Sequence, residues 1–207
     1  MLASHSDFGQ VEPYQQIQNY SCGAAALKAV MQHWGENVDE PTLIREIGVD
    51  PKHGSTAQQV TNAARARGYL AQTRRFDSID ELGKYTSKDV PVIVAIRSFT
   101  RPNQGHFVVA TKVKPATIDI MDPNVRGNQR TLSRGEMDAR WEFRDRIGVI
   151  VVPKRKRTQL AADASTTAAS FPPLSTGRKV AVAAAIVASI AATAVAIVVW
   201  RRQHAVR

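Results

Sequence analysis

The chain of 207 residues contains a single cysteine, Cys22. An intramolecular disulfide is therefore excluded, and nothing points to an oxidised scaffold. A structural zinc site is not expected either. Zinc wants four ligands at short paired spacings, whereas His5, His33, His53, His106 and His204 are scattered. No metal or other cofactor is expected. The segment Met1 to Tyr20 is polar, contains Pro13, and lacks a basic stretch followed by an apolar one. No signal peptide is expected from it. No internal repeat is visible. Acidic residues are nearly missing from the last quarter of the chain. Residues 154–207 hold Asp163 against 9 Lys/Arg, a net of +8, while residues 1–153 carry 19 Lys/Arg and 17 Asp/Glu, a net of +2. The formal charge of +10 thus belongs to the tail and not to the globular part. Basic residues beside an apolar span act at anionic lipid surfaces, so a nucleic-acid partner is not expected.

The chain divides by composition. Residues 8–153 read as one α+β domain after a short leader. Residues 154–178 begin with Lys154-Arg155-Lys156-Arg157 and continue rich in Ala, Ser, Thr and Pro; such a stretch buries no core and reads as a linker. Residues 179–200 read as a transmembrane helix. Within them Val180–Trp200 is free of charge, bracketed by Arg178-Lys179 and Arg201-Arg202, and at about 1.5 Å per residue it spans about 30 Å. Residues 201–207 form a short basic tail. Small-residue pairs such as Ala181/Ala185 and Ala184/Ala188 would allow close helix pairing and hence a homo-oligomer.

Inside the domain, helix starts are legible. Cys22–Trp34 has Ala26, Val30 and Trp34 at helical spacing and stops at Gly35. Asp39 caps a helix over Glu40–Ile47 with Pro41 in its first turn. Ser55-Thr-Ala-Gln58 reads as a capping box for a helix ending at Gly68, and Ser78–Glu81 and Ser133–Glu136 repeat that signature. Strand-like runs cover Tyr69–Arg74, Pro91–Arg97, His106–Val113, Thr117–Met121 and Ile147–Val152. Helices first and strands later predict a segregated α+β fold. Trp34, Trp141 and Phe143 are expected at the core or its rim, and His33 and His53 at the surface.

Four residues form a candidate site. Cys22 begins a helix, where unpaired N–H groups and the helix dipole favour a thiolate. Gln16, six residues earlier, has a side-chain N–H to offer a developing oxyanion beside the backbone N–H of Cys22. Gln18 is the weaker choice, at the wrong offset. His106 opens an apolar strand after Gly105, and an imidazole is the base a thiol nucleophile needs. Asp122 ends the next strand, sixteen residues on, where an antiparallel pair would return it beside His106 to orient the ring.

The order Gln16, Cys22-Gly23-x-Ala25-x-Leu27, Gly54-Ser55-Thr56, Pro91-Val-Ile-Val94, His106-Phe-Val-Val109 and Asp122-Pro123 resembles peptidase family C39. That family is the bacteriocin-processing branch of the papain-like cysteine peptidases. The resemblance covers about residues 10–152. It implies a papain-like fold, with N-terminal helices packed on an antiparallel sheet, joined here to one C-terminal transmembrane helix. It also implies Cys22 as nucleophile, His106 as general base and acid, Asp122 as the orienting residue and Gln16 as oxyanion donor. The best-known members precede an exporter with an ATP-binding cassette and cut after a double glycine. This sequence has no Walker-type Gly-rich loop, so neither export coupling in cis nor double-glycine specificity is carried over.

The function expected is a membrane-anchored thiol peptidase acting on a peptide or protein substrate. Two other readings stay open: acyl transfer through the same thioester, and a non-catalytic peptide-binding module tethered to the bilayer. The apolar span so near the C-terminus reads as a single-pass tail anchor, leaving the catalytic domain facing the cytoplasm.

Overall fold

The computed structural model describes residues 11–154, apart from 126 and 128. The expected linker, the span Val180–Trp200 and the basic tail lie outside the described residues. Among those described, no helix is long and apolar enough to cross a membrane.

Three helices come first: α1 (Cys22–His33), α2 (Glu40–Ile47) and α3 (Ala57–Ala66). Strand β1 (Leu70–Arg75), helix α4 (Ile79–Thr86) and strands β2 (Val92–Arg97), β3 (Gly105–Val113), β4 (Thr117–Met121) and β5 (Gln129–Ser133) follow. Helix α5 (Arg134–Glu142) and strand β6 (Ile147–Val152) complete the domain. The strands form one antiparallel sheet in the order β1-β6-β2-β3-β4-β5. The α+β expectation with an antiparallel sheet is met.

The N-terminal helices do pack on this sheet, but the second face is covered too. Ile93 and Ala95 join Phe107 and Val109 against α1 and α3, while Val92, Val94 and Ile96 join Val108 and Ala110 against α4 and α5. Strand β2 is thus buried on both faces. That is why it reads as a continuous apolar run and not as an alternation. Helix α1 is the innermost helix, with Gly23 through Met31 all buried. Its one charged residue, Lys28, donates to Asn37 Oδ1 at 2.9 Å and to the Val38 carbonyl at 2.6 Å. An ammonium this deep must be bonded on its charged end.

Several local expectations shift by one residue or more. The capping box that opens α3 is Thr56 with Gln59, not Ser55 with Gln58: Thr56 Oγ1 accepts from the Gln59 N–H and Gln59 Oε1 accepts from the Thr56 N–H. Ser78 and Ser133 cap α4 and α5 as expected, accepting from the Glu81 and Glu136 N–H groups. Strand β5 was not anticipated, because Gln-Arg-Thr-Leu-Ser is a polar edge with Leu132 its one buried member. His33 is not a surface side chain. Its ring is 3% exposed, edge-on to Trp34 at 4.5 Å, with Nε2 3.3 Å from the Asp89 carbonyl. His53 is exposed, Trp141 is buried and Phe143 sits at the rim.

Candidate active site

The start of α1 explains the setting of Cys22. Ser21 occupies the capping position but makes no side-chain cap. Its hydroxyl turns back to Gln18 instead, donating to the carbonyl at 2.9 Å and accepting from the N–H at 3.2 Å. Being the first helical residue, Cys22 has an N–H with no carbonyl ahead of it in the helix. The Phe107 N–H points to Sγ at 3.5 Å, and the nearby Gly23 N–H and His106 ring also favour charge on the sulfur. Burial opposes a charged sulfur, yet these donors and the imidazolium charge outweigh it, and the thiol pKa is lowered.

Gly23 is needed by close approach. A Cβ there would lie 3.2 Å from Val60 Cγ2 and 3.3 Å from Phe107 Cδ2, and would collide with Ser55 Oγ. Helix α1 can sit this deep against α3 and β3 only without that carbon. Gly23→Ala is expected to destabilise the domain by about 1–3 kcal/mol through overpacking. Urea unfolding of the two proteins checks this, and an unchanged midpoint would contradict it.

His106 stands at the start of β3 and is 7% exposed. Its Nε2–H donates to Asp122 Oδ1 at 2.6 Å, which leaves the other ring nitrogen for Cys22. Burial alone would lower its pKa, but the Asp122 bond and the Cys22 charge raise it to about 9. Asp122 follows β4 and is fully buried. Its Oδ1 also accepts from the Asn124 N–H at 2.9 Å, and its Oδ2 accepts from Arg130 Nε at 2.9 Å. Burial pushes this carboxyl up; the His106 bond and charge, with Asn124 and Arg130, bring it below its ordinary value.

Gln16, Cys22 and His106 line one open cleft of about 410 Å³. Gln16 is held twice: its N–H donates to the Pro123 carbonyl at 3.0 Å, and its Nε2 donates to the Gln18 carbonyl at 2.6 Å. The turn after Asp122 therefore braces the glutamine as well as the histidine. The Gln18 side chain is exposed and does not line the cleft. A second cleft of about 380 Å³, by His33 and Asp89, contains neither thiol nor His106. All four sequence candidates are thus brought to one place.

Three contributors were not foreseen. Arg130, on the polar edge strand β5, holds the free oxygen of Asp122 and stacks over Phe99 at 4.3 Å. Glu40, in the first turn of α2, accepts from the Ile17 N–H at 3.1 Å and so steadies the Gln16 segment. Burial and the nearby Glu40 carboxylate push the Tyr14 pKa up to about 12. An acidic residue beside Pro at a helix start reads as ordinary dipole compensation, which hides the longer reach of Glu40.

The sequence model of the peptidase C39 family matches residues 10–156. The chain belongs to the peptidase C39 family. Solved C39 domains share its fold. The peptidase domain of Streptococcus ComA, a bi-functional ABC transporter of a quorum-sensing pathway, is 23% identical with a TM-score of 0.60, covering 70% of this chain and 99% of that one. A C39-like peptidase from Bacillus anthracis is 16% identical with a TM-score of 0.60, covering 70% and 96%. A double glycine motif protease from an AMS/PCAT transporter, solved in complex with the leader peptide, is 26% identical with a TM-score of 0.56, covering 70% and 95%. Among curated proteins the comparison finds no match. In this C39 domain the matched segment contains all four residues described above.

Proposed function

We propose that this C39 domain is a cysteine peptidase in which Cys22 is the nucleophile. The observation that carries the reading is the buried His106–Asp122 pair, 2.6 Å apart, in the same cleft as Cys22, whose thiol pKa His106 lowers. The thiolate adds to the scissile carbonyl, and the oxyanion is received by the Cys22 N–H and the free amide N–H of Gln16. His106, protonated near neutral pH, gives its proton to the leaving amine and a thioester forms. Water then attacks, with His106 taking its proton, and Cys22 is released with a carboxylic acid product. Asp122, held by Arg130 and Asn124, fixes the ring and stabilises its charge.

A peptide substrate is supported by family membership and by the related double glycine motif protease that was solved with a leader peptide. Val180–Trp200 would anchor the domain in a bilayer, with the domain on the cytoplasmic side. Protease protection in inverted vesicles reads that orientation.

Iodoacetamide reactivity tests the site. The thiol is expected to alkylate about tenfold or more faster than a model thiol at pH 6, where an ordinary cysteine of pKa about 8.5 is almost wholly protonated. Stoichiometric alkylation should abolish cleavage of a peptide library. Reaction no faster than the model thiol, with cleavage surviving alkylation, would refute the reading. Amide products formed with added amines would redirect it to acyl transfer, and peptide binding without turnover to a binding module.

A further inference from the structure

Among the described residues, the cleft holding Cys22 has cations on its walls and no carboxylate. Lys52, Arg101 and Arg144 line it, and its other polar residues are neutral amides, hydroxyls and the two histidines His53 and His106. Several acids on the flanking elements are already engaged, while Asp145, next in sequence to Arg144, is exposed. Asp122 is bound to His106 and Arg130. Asp50 accepts from the N–H groups of Lys52 and His53 and from His53 Nδ1. Glu136 pairs with Arg140, and Asp138 and Glu142 pair with Arg146. The thiolate and imidazolium offset each other, so the cleft keeps an excess of positive charge.

Each of these cations stands on a braced loop. Lys52 sits in a turn closed by Asp50 and Gly54, whose backbones exchange hydrogen bonds at 2.8 and 2.7 Å. Arg101 is in the β2–β3 loop, where Ser98 Oγ accepts from the Arg101 N–H at 3.2 Å and the Arg101 carbonyl accepts from the Gln104 N–H at 2.9 Å. Arg144 follows α5, with its N–H given to the Trp141 carbonyl at 3.0 Å and its carbonyl taking the Ile147 N–H at 3.1 Å. The Arg144 guanidinium lies directly on Gly105, the residue before His106: a Cβ on Gly105 would come 2.7 Å from Arg144 Cζ. With no side chain at Gly105, the guanidinium lies against the residue that precedes His106. The braced backbones fix where three exposed cationic side chains start around one nucleophile, and such a charge pattern favours an anionic partner.

We infer that this site takes peptides carrying a carboxylate close to the scissile bond, read by Arg144 with Lys52 and Arg101. The inference rests on the peptidase reading above and adds the substrate class. The carboxylate has two sources, a Glu or Asp side chain or the free C-terminus of a short peptide. Arg144, set against Gly105, is the determinant nearest the chemistry, and the other two cations, exposed like it, extend the attraction along the cleft.

The test compares matched peptides with the full chain in detergent micelles. One series moves a single Glu or Gln through the three positions on either side of the cleavage site, with amidated ends; a second has free C-termini. The best Glu peptide is expected to exceed its Gln partner about tenfold in kcat/KM at low salt, with the ratio shrinking as salt rises. In R144Q the ratio should fall toward one, and R144E should favour a Lys peptide. A preference confined to the free-ended series would assign the carboxylate to the C-terminus. Equal cleavage of Glu and Gln peptides in both series, or a preference untouched by R144Q, would overturn the inference while leaving the peptidase reading intact. Binding of the same peptides to the alkylated protein gives an arm independent of turnover. No cleavage of any peptide, with Glu-selective binding retained, would remove the peptidase reading and keep the charge selection.

Discussion

Replacing His106 with alanine is expected to lower kcat/KM for peptide cleavage by about 10³-fold, because one ring supplies two effects. In the proposed mechanism it protonates the leaving amine, a general-acid contribution of about 10²–10⁴-fold. It also holds Cys22 as a thiolate. Without it, burial is left to oppose the charged sulfur, since the bond and charge of His106 are the strongest factors lowering the thiol pKa. Iodoacetamide should then react with the variant only at higher pH, and the excess reactivity near pH 6 should vanish. Gly23 and Phe107 still donate to the sulfur, so some lowering survives. His106→Gln gives a second measurement with a side chain of similar reach. The two variants should share the lost alkylation and keep the far-ultraviolet spectrum of the wild type. An unchanged alkylation profile in both would mean that His106 does not set the state of the thiol.

The residues that were legible in the sequence share one property: their positions show in local syntax. Cys22 starts a helix, His106 starts an apolar strand after a glycine, and Asp122 precedes a proline. Each boundary is written in a few neighbouring residues. The hairpin argument for Asp122 was right in outline, but the register is finer than it supposed. Val109 pairs with Met121, and the pairing then slips between Ala110 and Lys112. Asp122 lies beyond the last pair, and its reach to His106 depends on the turn that Asn124 closes on its carboxylate. What was not legible depends on distant pairing. Arg130 lies on a strand with no apolar run, and nothing local marks it as the partner of Asp122. Arg144 and Gly105 are thirty-nine positions apart in sequence. The second helical layer was missed for a related reason. The capped helices α4 and α5 were visible, but only the doubly buried strand β2 requires them on the opposite face.

Asp122→Asn is expected to lower cleavage by about 10²-fold or more and to change how stability depends on pH. The amide keeps the shape but not the charge, and its NH₂ would face either the Nε2–H of His106 or the Arg130 guanidinium as a second donor. In the wild-type protein the raised His106 pKa contributes stability that is full below about 6.5 and is lost as pH rises through about 9. A displacement from 6.5 to about 9 in a nearly buried ring corresponds to a few kcal/mol, on the order of 3, shared between the Asp122 and Cys22 contacts. The lowered Asp122 pKa acts at the other end. Its contribution is present above the unfolded value, near 3.9, and is lost as pH falls through the lower folded value. Stability from this pair is therefore greatest between about pH 4 and 6.5 and declines toward pH 9. In the variant the acid-side contribution is gone and the His106 pKa drops, so the decline should move to lower pH and shrink. Thermal unfolding of both proteins from pH 3 to 10 reads this directly. The alkaline limb of kcat/KM should move the same way, since it follows loss of the same proton. Parallel stability curves for the two proteins across that range would show that the His106–Asp122 contact carries no charge, and the ion-pair account of the site would have to be abandoned.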